Sequence, residues 1–179
     1  LHVELHEFNS LTQRDEETAN RLGVDKLAGA VHEFYRGKGT TEGWIKPHHD
    51  RGFADLSPFD QASNRAAARR VPAILALVGL KLVDGIATAT ERSEAQAVLS
   101  FHADLLGEAE HDGWMDWHFD NGWSQSKVRD DFRQFQNLLI PYSDLPEKEK
   151  QKDRLAISSY PDIAELAGLK IVPIGNAKA

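Results

Sequence analysis

Shifting the chain against itself by 89 positions superposes residues 53–83 on residues 142–172 without a gap, and eleven of the 31 pairs are identical. Among them are Asp55/Asp144, Leu56/Leu145, Arg65/Arg154, Pro72/Pro161, Gly79/Gly168 and Lys81/Lys170. Upstream the offset becomes 79, pairing His32 with His111, Tyr35 with Trp114, Gly43 with Gly122 and Trp44 with Trp123. The second copy therefore carries ten extra residues between its tryptophan and a Pro-Tyr corner at Pro141 and Tyr142. Two copies of about 80–90 residues are too few and too long for a solenoid, whose period is roughly 20–50 residues. The duplication predicts a pseudo-two-fold pair of supersecondary units, with matching bends at Pro72 and Pro161 and matching helix ends at Gly79 and Gly168.

Local patterns fill in the elements. Residues 1–23 read as a linker or short N-terminal strand, residues 24–89 as the first copy and residues 90–179 as the second. Leu27, Val31 and Phe34 fall on one helical stripe, and Gly37 and Gly39 predict its end. The stretch from Gly43 to Leu56 is rich in turn residues. A second helix is expected from about Pro58 to Val78, kinked at Pro72, followed by a short strand from Leu80 to Val83. Ser93 and Gln96 have capping-box spacing, opening an amphipathic helix that runs towards Phe119, weakened by Gly107 and Gly113. Pro146 starts a last helix, with Glu147 and Glu149 at the positive end of its dipole, which closes at Gly168. The predicted class is mainly α with short β-strands.

The stretch from Gly113 to Arg154 gathers three tryptophans, an Arg-Asp-Asp triplet, the Pro-Tyr corner and a Leu-Pro helix start. Its residues Gly122, Trp123, Arg129, Asp130, Asp131, Leu139, Pro141, Tyr142, Leu145, Pro146, Glu147, Glu149, Lys150, Asp153 and Arg154 resemble the pattern of the RyR domain, the repeat named from ryanodine receptors and also found in bacterial proteins. The resemblance departs at Gln125 and Ser126, where the family usually has Tyr-Gly, and at Gln136 and Asn137, where it usually has His-Pro. It implies a tandem of two RyR-type repeats, mainly helical, covering about residues 24–172. The first repeat is the degenerate one: it keeps Gly43, Trp44 and Arg65 but has lost the Arg-Asp-Asp loop. The resemblance further implies a cleft where adenine-type and aromatic ligands stack. It also implies an upstream dinucleotide-binding domain in a longer protein, which suits a chain that begins at Leu1.

Composition restricts the function classes. The net charge is -7, with the acidic excess concentrated in residues 90–179, a balance that repels phosphate backbones and argues against nucleic-acid binding. There is no cysteine, which removes disulfides, thiolate metal sites and a Cys nucleophile together. No run approaches the roughly 18 apolar residues of a membrane span, and the first residues carry acids where a signal peptide needs basic charge. A cytoplasmic protein with no membrane association is expected. There is no GxSxG motif, no glycine-rich phosphate loop and no Lys in an evident apolar pocket, so no enzyme class and no cofactor is expected.

The candidate ligand-binding residues are Trp44, Trp123, Arg129, Asp130, Asp131, Tyr142, Arg65 and Arg154. Trp44 and Trp123 offer stacking faces for a planar ring and are expected to line one cleft between the copies; equally, each suits the core aromatic of its own repeat. Arg129 can hold a phosphate bidentately while Asp130 and Asp131 hold ribose hydroxyls, or the triplet can clasp its own loop. Arg65 and Arg154 face the same choice, a ligand role or a tie from helix to loop. His48 and His49, in extended backbone, would point to opposite faces and could not chelate one ion together. His111 and His118 stand too far apart along a helix to chelate, and His32 and His111 read as helix residues that hydrogen-bond across their repeats. These features predict a non-enzymatic sensor or regulatory module for a nucleotide or similar planar, anionic metabolite. The alternatives are a protein-interaction or assembly module with no small-molecule ligand, and a hydrolase using His48, His49 and Asp50.

Overall fold

The structure, a computed structural model, describes residues 23–175, so the expected N-terminal linker or strand lies almost wholly outside the described residues. Among the described residues, six α-helices and four short strands follow in order: α1 Val24–Glu42, α2 Pro58–Ala76, β1 Leu80–Asp84, α3 Ala89–Phe101, α4 Ala103–Asp120, β2 Ser124–Gln125, β3 Phe135–Gln136, α5 Glu147–Ser158, α6 Tyr160–Leu166 and β4 Leu169–Pro173. Single 3-10 turns at Phe53–Asp55 and Tyr142–Asp144 precede α2 and α5. The protein is mainly helical with short strands. None of the helices among the described residues is long and apolar enough to cross a membrane.

Two compact units form, and their bounds differ from those of the sequence copies. Residues 99–159 make one; residues 23–98 together with 160–175 make the other. In the discontinuous unit α1 packs on α2 and on α6, and β1 pairs antiparallel with β4. The pairing register runs Leu80↔Pro173, Leu82↔Ile171 and Asp84↔Leu169. Alternate strand residues Leu80, Leu82, Leu169 and Ile171 are buried, the period-2 pattern of a ribbon covered on one face. Leu27, Val31, Val71, Ile74 and Leu75 complete this core. In the contiguous unit α4 packs on α5 around Leu106, Leu139, Leu145 and Ile157.

The helix boundaries correct the sequence reading in several places. The single helix expected from Pro146 is broken at Ser159 into α5 and α6. Pro161 falls in the first turn of α6 whereas Pro72 lies inside the unbroken α2, so the two prolines do not mark matching bends. Helix α1 runs straight through Gly37 and Gly39 and stops at Gly43, which sits in the left-handed region at φ 76. An interior glycine costs about 1 kcal/mol relative to alanine, too little to end a helix whose Leu27–Val31 stripe is buried. The expected capping box at Ser93 and Gln96 lies inside α3. The box that forms is one turn earlier: the Thr88 backbone N–H donates to Glu91 Oε2 (2.9 Å) and the Glu91 N–H to Thr88 Oγ1 (3.1 Å). The single long helix expected there is broken at His102, with α3 before it and α4 after. Gly107 and Gly113 both continue α4.

Candidate functional site

Equivalent residues of the two copies make equivalent bonds. Arg65 Nε donates to Asp25 Oδ1 at 2.6 Å, and Arg154 Nε donates to Asp104 Oδ1 at 2.6 Å. The His32 ring Nε2 donates to the carbonyl of Arg51 (2.7 Å), and the His111 Nε2 to the carbonyl of Ile140 (2.8 Å). Both histidines are buried, so each ring N–H satisfies a carbonyl of the loop ahead of the next helix. Arginine and histidine together tie the first helix of a copy to the segment that opens its second. The two clasps differ in strength of wiring. Arg65 holds Asp25 and Gln61 and lies over the Phe53 ring at 5.4 Å, whereas Arg154 also reaches Glu147 (2.5 Å) and Gln151.

The ionisation of these groups follows from the pairing. The hydrogen bond from Arg65 holds the Asp25 carboxyl below its ordinary range, and Arg154 does the same to Asp104 and to Glu147. Arg154 is pushed up in return by Glu147 and Asp104. Tyr142 is buried against this cluster, its hydroxyl 3.4 Å from Asp104 Oδ1, and burial raises its phenol above the usual value. A Cβ at Gly107 would lie 3.1 Å from that hydroxyl. The equivalent first-copy positions carry Ala28 and Phe53, where no hydroxyl needs the room.

The Arg-Asp-Asp triplet forms a closed loop. Arg129 Nε and Nη2 bond both carboxylate oxygens of Asp131 (2.6 and 3.1 Å), and Asp130 Oδ1 accepts the Arg133 backbone N–H at 3.0 Å. Backbone bonds between Asp130 and Phe135 in both directions (2.9 and 2.8 Å) close the turn, and the two-residue strands β2 and β3 pair in parallel beneath it. The loop presents Phe132 at 97% exposure.

The two tryptophans occupy the same local motif with different surroundings. Each helix ends in a left-handed glycine, Gly43 (φ 76) or Gly122 (φ 84). The following tryptophan N–H then bonds back to the carbonyl five residues earlier: Trp44 to Gly39 and Trp123 to His118, both at 2.9 Å. This is the Schellman arrangement, which brings the residue after the left-handed position against the last helical turn. In the first copy Trp44 therefore lies on Gly39, where an added Cβ would meet the indole at 2.9 Å. Trp44 remains half exposed (49%), its Nε1 donating to Glu42 at 2.7 Å. In the second copy the Trp123 ring meets His118 edge to face at 5.2 Å, and His118 lies 4.2 Å from Trp114. Trp123 is 7% exposed.

Beside Trp44 is a solvent-open recess of about 210 Å³ whose walls include Tyr35, Arg36, Trp44, His49, Asp60 and Asn64. His32 and Leu56 also line it. The Arg36 guanidinium is engaged by Asp50 (2.9 Å) and Glu33 (3.5 Å), and the Asp50 hydrogen bond accordingly raises its pKa. His49 Nε2 is 3.3 Å from Asp60 Oδ1. His48 and His49 stand in a turn closed by bonds from His49 and Asp50 to the Lys46 carbonyl, with their rings 4.0 Å apart. They are not splayed by extended backbone as expected. Among the described residues no group of three His, Asp or Glu side chains is placed to hold a metal ion.

The structure thus brings Tyr142 and Arg154 together around Asp104, places Arg65 on Asp25, and folds Arg129, Asp130 and Asp131 into one turn. Trp44 belongs to the discontinuous unit and Trp123 to the contiguous one. Sequence reasoning missed Asp25 and Asp104, the acceptors of both clasps, although the 79-residue offset that pairs His32 with His111 pairs them too. It also missed Gly39 and His118, equivalent under the same offset, which lie against Trp44 and Trp123 respectively.

Taken together, these elements define a mainly helical module with Gly-Trp helix stops and arginine–aspartate clasps in both copies. Residues 89–171 match the family model of the RyR domain, and this segment of the chain is an RyR domain. No curated protein matches the chain.

Proposed function

We propose that the chain is a non-enzymatic, cytosolic regulatory module, an RyR domain preceded by a diverged copy of itself, that responds to a small planar ligand held against Trp44. The observation that carries this reading is the half-exposed indole beside an open recess in the first copy, at the position where the second copy packs its tryptophan under histidine. A stacking face that is kept in water while its equivalent is buried suits a ligand, since an exposed indole is otherwise an apolar surface left without cover. Tandem duplication is supported by the paired Arg-Asp and His-carbonyl bonds. The β1–β4 register supports it as well: Leu82 and Ile171, equivalent under the 89-residue offset, face each other at its centre, as a two-fold would require.

Of the ligand features expected from sequence, planarity has this support. The anionic part has less, because Arg65, Arg129 and Arg154 each already hold a carboxylate. Differential scanning fluorimetry against nucleobases, nucleosides, nucleotides and aromatic amines tests the reading. A shift that is lost in Trp44→Ala and kept in Phe132→Ser is expected. The interaction-module reading draws on one observation, the nearly bare Phe132 on a braced loop. A panel without any thermal shift would transfer the weight to it.

A further inference from the structure

We infer that the recess beside Trp44 takes an organic cation, a protonated amine or amidine on a small planar body, and turns away phosphate-bearing ligands. The inference rests on the ligand-sensing reading above and adds the charge and size of the ligand.

The charge argument counts the groups at the recess and those bonded directly to them. Asp60 lines the wall, Glu42 holds the indole edge of Trp44, and Glu33 and Asp50 hold Arg36. Against those four carboxylates stands one fixed cation, Arg36, already neutralised by two of them. His49 turns its Nε2 to Asp60, and His32 spends its Nε2 on the Arg51 carbonyl. Lys46 and Arg51 are on the neighbouring loop but do not line the recess. Asp60 is the one carboxylate in the lining and Arg36 the one permanent cation. With Glu42, Asp50 and Glu33 bonded to lining groups the surroundings are net negative, and a concave site of that sign raises the local concentration of cations.

The aromatic walls act in the same direction. Trp44 and Tyr35 face a cavity that also contains a carboxylate, and the negative faces of aromatic rings attract cations, tryptophan most strongly. Ring quadrupole and carboxylate then reinforce each other for a cation and oppose each other for an anion. Size narrows the class further. A volume of about 210 Å³ lies below the roughly 300 Å³ at which pockets begin to enclose drug-sized ligands. One ring bearing a charged group fills it; the sugar and phosphate of a nucleotide would be left outside, in solvent, without contacts from the recess.

The test is an isosteric series on the full chain by isothermal titration calorimetry: benzamidine (cation), benzamide (neutral) and benzoate (anion). Benzamidine is expected to bind, benzamide at least tenfold more weakly, and benzoate with no measurable heat. Asp60→Asn should weaken benzamidine at least fivefold and leave benzamide unchanged. Glu42→Gln, outside helix α2, repeats the measurement if Asp60→Asn is unfolded by circular dichroism. Trp44→Phe should retain part of the benzamidine affinity and Trp44→Ala none. Benzamide binding as tightly as benzamidine, with loss of both in Trp44→Ala, would overturn the cation inference and leave the planar-ligand reading standing. Benzoate or AMP binding more tightly than benzamidine would overturn it too. No binding of any probe, together with a flat fluorimetry panel, would remove the ligand-sensing reading and this inference with it.

Discussion

The last turn of α1 and the last turn of α4 begin from the same instruction, a glycine in the left-handed region followed by tryptophan, and finish as opposites. At α1 the residue beneath the indole is Gly39, the ring stays half in water, and a recess opens beside it. At α4 the residue beneath is His118, which joins Trp114 and Trp123 in an aromatic stack and excludes solvent. The backbone motif fixes where the tryptophan sits; the residue five positions earlier, Gly39 or His118, is what the ring meets there. Burial of an indole contributes stability, and an indole left half in water contributes less, so the same backbone motif ends in two different environments.

The largest expected effect that could break this comparison is in urea denaturation. Trp123→Ala should cost about 3–5 kcal/mol, the range for a large buried aromatic, while Trp44→Ala should cost about 1–2 kcal/mol because half of that ring is already hydrated. Equal losses would mean that the two indoles do the same job.

Exchanging the residue beneath each indole sharpens the contrast. His118→Gly should cost about 2–4 kcal/mol, from the lost ring contacts and the added helix flexibility. It should also raise the solvent accessibility of Trp123 to acrylamide quenching. The reciprocal Gly39→Ala gains helix propensity of about 1 kcal/mol, but its Cβ meets the Trp44 ring, and overpacking of that kind costs about 1–3 kcal/mol. A small net loss with a displaced Trp44 emission is expected; a clear gain in stability with unchanged emission would show that the indole is not held on Gly39.

The clasps give a smaller difference. Arg154→Ala should lower the melting temperature more than Arg65→Ala, because Arg154 leaves two carboxylates, Asp104 and Glu147, without their cation, and Arg65 leaves one, Asp25. The smallest effect is in acid. Asp25, Asp104 and Glu147 have folded pKa values below their ordinary ones, so their contribution to stability is complete above the ordinary carboxylate range. It is lost as the pH falls through the depressed folded values, below about pH 4. A melting-temperature profile in that window should be steeper for the wild type than for Asp104→Asn, and Asp25→Asn should flatten it less. Profiles that coincide would remove the clasps from the account of stability.

Part of the fold is legible from local pattern and from the matching residues at fixed offsets: the helical stripe of Leu27 and Val31, the strand β1, and the hydrogen-bonded histidines His32 and His111 follow from them. The end of α1 was misread because glycine was taken as a stop signal by composition, and the stop depends on one glycine adopting positive φ where its neighbours stay helical. The clasp acceptors Asp25 and Asp104 stood at equivalent positions, but a carboxylate 40 or 50 residues from its arginine has no local signature. The recess was illegible for a similar reason. It is assembled from side chains spread between residues 32 and 64 on α1, the following loop and α2, and no local pattern announces that they converge.

The β1–β4 pairing sets an order of events on the chain during its synthesis. Residues 80–84 bond to residues 169–173, so the β1–β4 ribbon that buries Leu82 and Ile171 has to wait until the ribosome has released residue 173. The contiguous unit, 99–159, has every one of its own segments available sooner. Closing a loop of that separation is slow compared with local helix pairing, and until it closes the apolar face of β1 is open to chaperones and to other nascent chains. An early stop or a lost β4 would leave the Trp44 recess on a half whose core lacks its last layer.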